Sequence, residues 1–178
     1  MTKEQRSTLM RILVLLFVII LIIVLIIYRN RVKDLGVYGY PGIFIISVLA
    51  NATIFIPVPG IMITTAMGAV FNPFWVAIVA GAGSALGELT GYLAGYGGQA
   101  IIENRDWYER VSNWMKKYGD LTIFILAFIH NPLFDLAGMA AGSLKLPVWR
   151  FMLVCFLGKI LKMMIFAYAG VSIMRLIH

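Results

Sequence analysis

A chain of 178 residues that is 61% hydrophobic and 13% charged, with a mean hydropathy of +0.91, falls outside the range of a soluble domain, which carries about 25% charged residues. No Asp, Glu, Lys or Arg lies between Asp34 and Glu88, a stretch too long for a soluble core, so the chain reads as a one-domain polytopic membrane protein. The net charge of +7 does not point to nucleic acid: the basic residues flank apolar segments (Lys3, Arg6, Arg11; Arg29, Arg31, Lys33; Arg110, Lys116, Lys117) and read as headgroup and topology signals.

In chain order, Leu9–Tyr28 has a basic flank but an apolar core longer than a signal-peptide h-region. No Ala-x-Ala site follows it, and Arg29-Asn30-Arg31 closes it. Residues 1–36 are therefore expected to be an N-terminal transmembrane anchor, and residues 37–178 the membrane domain. Segment 37–57 is apolar, carries Asn51 and Thr53 near its end, and stops at Pro57. Segment 58–72 is short and contains Gly60 and Gly68. Together they predict a re-entrant helical hairpin, tolerated in a bilayer only against protein or a water-filled cavity. Segment 73–97 predicts a full span. Residues 103–118 predict an amphipathic helix in the membrane interface, with Trp107, Val111 and Trp114 at i, i+4, i+7 and Met115 and Tyr118 beside them. Segments 119–131 and 132–146 repeat the hairpin, and 147–176 predicts a second, longer span.

The repetition extends to single residues. Gly68, Pro73 and Trp75 recur about 74 positions later as Gly142, Pro147 and Trp149. Repeat one spans 37–98 and repeat two 119–176, and a single crossing between the hairpins makes them enter from opposite faces. The expected fold is an all-α integral membrane protein: an inverted repeat of re-entrant hairpin plus transmembrane helix, with the N-terminal anchor and the interfacial helix. Paired, Gly/Pro-interrupted hydrophobic segments mark transporter-like folds, in which the substrate path lies between the repeats. Counts of Lys and Arg favour a cytoplasmic N-terminus.

Few residues here can carry chemistry. Gly83, Gly87, Gly91 and Gly95 form a small-residue row for close helix approach. Beside it, Ser84, Glu88 and Tyr92 form a polar stripe at i, i+4, i+8. A carboxylate at that depth must face the interior and be paired, protonated or hydrated. Glu88 is thus a proton-binding or headgroup-contacting residue, or one half of a structural ion pair with Lys159 or Lys162; these readings are compatible. In Asn131-Pro132-Leu133-Phe134-Asp135, Pro132 biases Asn131 away from helix, Asn131 can cap the next half-helix, and Asp135 falls in its first turn. His130 titrates near neutral pH in water and is a further charge partner. Pro57, Pro59, Gly60, Asn131 and Pro132 are the expected hairpin-shaping residues.

No HExxH, GxSxG or Walker A motif occurs, and two histidines with the lone Cys155 make a metal site or a disulfide an unsuitable reading. No enzyme activity, metal or cofactor is expected. The expected partners are membrane lipids, with protons and a second copy of the chain as candidates and nucleic acid excluded. The expected location is a membrane, crossed several times (the cell membrane in a prokaryote).

Pro57-Val-Pro-Gly60, Gly87-Glu88-x3-Tyr92-x2-Gly95-x2-Gly98 and Asn131-Pro-Leu-Phe-Asp-Leu-Ala-Gly138, with Gly158-Lys159 downstream, resemble the DedA family, also called the VTT or SNARE-associated family. The resemblance covers about residues 37–170 and is nearest to the eukaryotic vacuole membrane protein branch. It implies a lipid transporter with two opposed re-entrant hairpins. Bacterial members are associated with recycling undecaprenyl phosphate and with proton-dependent membrane homeostasis, and the eukaryotic branch scrambles phospholipids. Two departures bear on substrate: positions 50–61 hold no acid, and Phe124–Asp135 lacks the arginine pair common in bacterial members. Arginine pairs suit bidentate phosphate recognition, so their absence favours a less discriminating lipid path. The expected function is a phospholipid scramblase or translocase, with Glu88 and Asp135 as furrow acids beside Ser84 and Tyr92, and Lys159 and Lys162 as charge partners or phosphate contacts. The alternatives are a proton-coupled carrier of a phosphorylated lipid of polyprenyl-phosphate type, or of an ion, and a non-transporting assembly factor.

Overall fold

The structure, a computed structural model, describes residues 39–52, 60–98, 105–129 and 133–177. The N-terminal anchor, Pro57, Pro59, His130, Asn131 and Pro132 lie outside the described residues. All regular structure among the described residues is helical: α1 (Gly39–Ala52), α2 (Gly60–Val70), α3 (Pro73–Gly87), α4 (Leu89–Tyr96), α5 (Arg105–Tyr118), α6 (Asp120–Phe128), α7 (Leu133–Ser143) and α8 (Val148–Ile177).

Two long rods organise the molecule. The first starts at a capped end: the Asn72 side chain accepts hydrogen bonds from the Phe74 and Trp75 backbone N–H groups at 3.0 and 3.5 Å, and Pro73 takes the first turn, where its missing N–H costs nothing. α3 and α4 then form one rod, because Glu88 between them keeps helical dihedrals (φ −66°, ψ −15°) and its backbone bonds Ser84 and Tyr92 at 3.2 Å each. Pro73–Tyr96 and Val148–Leu176 are the two helices long and apolar enough to cross a membrane, among the described residues.

The rods run antiparallel. Val76, Ala77 and Ala80 cluster with Met163 and Ala167, Gly81 meets Ile160, and the Tyr92 ring stacks on Phe151 at 5.2 Å. Counting 1.5 Å per residue along this register, Trp75 and Trp149, at opposite ends, lie about 28 Å apart along the rod axis. Glu88 falls about 5 Å from the midpoint between them.

Each rod carries a helical pair. α1 and α2 are antiparallel: Tyr40 packs on Phe71 with centroids 5.5 Å apart, and Ala50 meets Gly60. α1 lies along its neighbour α3, over Gly83 and Gly87, whereas α2 crosses to α8, where Gly68 touches Ala167 and Gly170 touches Thr65. In the later pair, α6 lies along α8, with Asp120 bridged to Arg150 and Gly158 against Phe124 and Ala127. α7 crosses to α4, where Gly95 meets Met139 and Gly142 meets Tyr92 and Tyr96. The glycine row therefore serves two partners, Gly83 and Gly87 facing α1, Gly91 and Gly95 facing α7.

α5 packs on α7 and α6 through buried Val111 and Met115, and leaves Trp107 and Trp114 more than one-third exposed. Its inward stripe, Val111 and Met115, lies within the apolar face expected from spacing, and the flanking Trp107 and Trp114 rings stay partly exposed. Gly119, at φ 56°, makes the left-handed turn from α5 into α6. On α8, Trp149, Leu153, Leu157, Leu161 and Ile165 form an exposed apolar stripe at four-residue spacing.

Candidate functional site

The ends of both helical pairs converge on one buried ion pair. Lys159 projects from α8, and its Nζ donates to Glu88 Oε1 at 2.5 Å and to Asn51 Oδ1 at 2.8 Å. Both charged residues are buried, at 3% and 4% exposure. Asn51, near the end of α1, donates through Nδ2 to Ser84 Oγ at 3.1 Å and to the Ser47 carbonyl at 2.9 Å. From the opposite pair, the buried Phe134 ring at the start of α7 covers the Lys159 ammonium at 4.5 Å, a cation–π contact. Among the described residues no fully enclosed side-chain N or O atom is left without a hydrogen bond; Lys162, which makes none, keeps 6% exposure. Such closure is what a low-dielectric interior demands, since an uncompensated charge there is strongly unfavourable.

Small residues make this meeting possible. Ser84, Ala85 and Gly87 let α1 and α8 approach α3, and Gly138 sets α7 against the backbone of Glu88, Gly91 and Tyr92, with a Cβ there meeting ordinary van der Waals distances. Gly142 and Gly95 have no such allowance: a Cβ at either would overlap a backbone carbonyl of the facing helix.

The expected site residues divide into three groups. Glu88, Lys159 and Ser84 come together, joined by Asn51. Lys162 is buried next to them on α8, within electrostatic range of Lys159, Glu88 and Asp135, without a hydrogen bond or ion pair among the described residues. Asp135 is exposed in the first turn of α7, where the helix dipole favours an anion; its backbone carbonyl lies beside Gly91 and the exposed Thr90 is the next residue along. Tyr92 is separate: its hydroxyl donates to the Leu146 carbonyl at 2.5 Å, near the end of the rod. The buried fixed charges Glu88, Lys159 and Lys162 are thus one acid and two bases, with Asp135 at the rim. Among the described residues no cluster of His, Cys, Asp and Glu could hold a metal.

Asn51 and Phe134 are the participants that sequence patterns did not single out. Asn51 had one signal, an amide in a long uncharged stretch; Phe134 had none beyond its place beside Asp135.

Residues 58–172, which include Glu88, Asp135, Lys159 and Lys162, match the family model of the VTT domain. The chain belongs to the VTT domain family. The chain is similar in sequence to the vacuole membrane proteins KMS1 and KMS2 of Arabidopsis thaliana, at 33% and 31% identity over 47% of this chain and 25% and 24% of theirs. It is also 34% identical to the vacuole membrane protein 1 homolog of Dictyostelium discoideum, over 48% of this chain and 28% of that protein. The match thus spans about a quarter of the length of these relatives. No solved structure matches it significantly. With the composition and the two long apolar helices, these likenesses identify an integral membrane protein with a VTT domain.

Proposed function

We propose that this VTT-domain protein is a multi-pass, non-enzymatic lipid translocase of the scramblase type, in which headgroups cross along a polar seam between two re-entrant hairpins while the acyl chains stay in the bilayer. The observation that carries the reading is the mid-depth convergence: exposed Asp135 and Thr90 lie next to the ion pair that ties both hairpins together. A polar seam there lowers the desolvation penalty that makes unassisted headgroup crossing slow.

An inverted-repeat architecture is supported by paired contacts. Gly68 with Ala167 and Gly142 with Tyr92 are near-equivalent under the shift of about 74 positions, as are Thr65 with Gly170 and Met139 with Gly95. Each hairpin rests one limb on its own rod and one on the other. The Trp75–Trp149 spacing of about 28 Å is close to a hydrocarbon core of about 30 Å, with the tryptophans at both interfaces. On that frame the Glu88–Lys159 pair is a closure holding the hairpins, Asp135 contacts the passing headgroup with Lys162 as a buried charge behind it, and the α8 stripe faces lipid.

The test is reconstitution of the purified protein into liposomes holding a fluorescent phosphatidylcholine, with a membrane-impermeant quencher added outside. Wild type should expose the inner-leaflet lipid and Asp135→Asn should slow that exposure, relative to protein-free vesicles. An inner leaflet that stays protected with wild type contradicts scrambling; movement appearing only under a pH gradient would indicate a proton-coupled carrier, and no movement under any condition an assembly factor.

A further inference from the structure

We infer that a second site, a cavity at the end of α4, binds the headgroup of an anionic phospholipid in one leaflet. The cavity has a volume of about 410 Å³ and is lined by Tyr92, Leu93, Tyr96, Lys145, Leu146, Pro147 and Val148. It rests on the chain's residence in a membrane and does not require translocation.

Its walls are built. The Tyr92 and Tyr96 rings stack at 6.2 Å with planes 20° apart, and the Tyr92 hydroxyl pins the α7–α8 turn through Leu146. That turn closes α7 with paired bonds, Leu146 N–H to the Ala141 carbonyl at 3.0 Å and Lys145 N–H to the Gly142 carbonyl at 2.9 Å. In such a motif the left-handed position is usually glycine. Here it is Lys145, the one described non-glycine residue with positive φ, at 52°. The chain places a lysine where glycine would be the less strained choice, and among the described residues that lysine is the one charge lining the cavity. Backbone strain of this kind concentrates at functional sites.

The surroundings select the ligand. Leu93, Leu146, Pro147 and Val148 make most of the lining apolar, which suits the glycerol and proximal chain of a lipid and not a free ion. Trp149 follows directly and is 68% exposed, as an interfacial tryptophan is, and Leu153 and Leu157 continue an apolar track along α8. Two cations border this turn, Lys145 and Arg150. Arg150 is engaged by Asp120, so Lys145 is the cation placed to meet a phosphodiester.

The experiment measures binding of phosphatidylglycerol and of phosphatidylcholine to the full chain in detergent micelles by native mass spectrometry, with Lys145→Gly, Lys145→Arg and Lys116→Ala beside wild type. Wild type should prefer phosphatidylglycerol by about fivefold, the contribution of one lysine near a membrane surface. Lys145→Gly should abolish the preference while keeping or raising the melting temperature; Lys145→Arg and Lys116→Ala should retain it. A preference unchanged in Lys145→Gly, or lost equally in Lys116→Ala, overturns the site. Displacement of the lipid by millimolar inorganic phosphate would overturn its assignment to a lipid. Because micelles report binding alone, failure here is distinct from failure of the translocation reading.

Discussion

Glu88→Gln should destabilise the protein more than Lys159→Met, although both break the same ion pair. The difference lies in the charges left behind. Glu88→Gln leaves Lys159 and Lys162 buried together without a buried carboxylate, at 3% and 6% exposure. Lys159→Met leaves Glu88 with Lys162 still in electrostatic range, a balanced remainder. Removing one partner of a buried pair costs about 3–5 kcal/mol. The acid variant should reach that range, and the lysine variant should fall short of it by at least about 1 kcal/mol. Glu88→Gln/Lys159→Met removes one charge of each sign and should recover about 1–3 kcal/mol relative to additivity, the coupling expected of residues in contact. Reversible unfolding of the four proteins in mixed micelles, followed by intrinsic fluorescence, supplies the cycle. Equal costs for the two single variants, or a double variant that is merely additive, would refute the charge accounting around Lys162.

Further outcomes test packing, depth and strain. Gly142→Ala should cost about 1–3 kcal/mol, because its methyl would overlap the Tyr92 carbonyl, whereas Gly138→Ala on the same helix should be nearly silent in the same assay. Arg150→Ala should cost under about 1 kcal/mol in that assay, since its bridge to Asp120 is partly exposed to solvent. In single-tryptophan variants, Trp75 and Trp149 should be quenched most by spin labels near the headgroups, and strong quenching by a label at the chain terminus would contradict the assigned depth. Lys145→Gly should raise stability by up to about 1 kcal/mol, the left-handed penalty it relieves, read as an upward shift in melting temperature.

Much of the helical framework was legible because breakers and apolar runs are local signals. Pro73 and Pro147 mark where the rods begin, Gly60 and Gly119 border helices, and the uncharged run from residue 35 to 87 announces the membrane. The candidate site was legible in part. Glu88, Lys159 and Lys162 stand out as charges in apolar segments, and a buried acid requires a partner. What could not be read is long-range. The Asn51–Lys159 bond joins residues 108 positions apart, and nothing near Phe134 signals that its ring covers an ammonium. Helical drift explains the other differences. At about 100° per residue, an i, i+4, i+8 stripe turns by about 80°, so Tyr92 leaves the face of Ser84 and reaches Leu146 instead. Over twelve residues the drift is about 120°, which splits the glycine row between α1 and α7.

A headgroup path at mid-depth requires water at Asp135, and thiol labelling reads that directly. Cys155 is buried, so it contributes little background. In proteoliposomes, Asp135→Cys should react with a membrane-impermeant, water-soluble maleimide, while Leu157→Cys at similar depth on the lipid-facing stripe should not. Equal protection of both positions would contradict a hydrated seam and the translocation it supports.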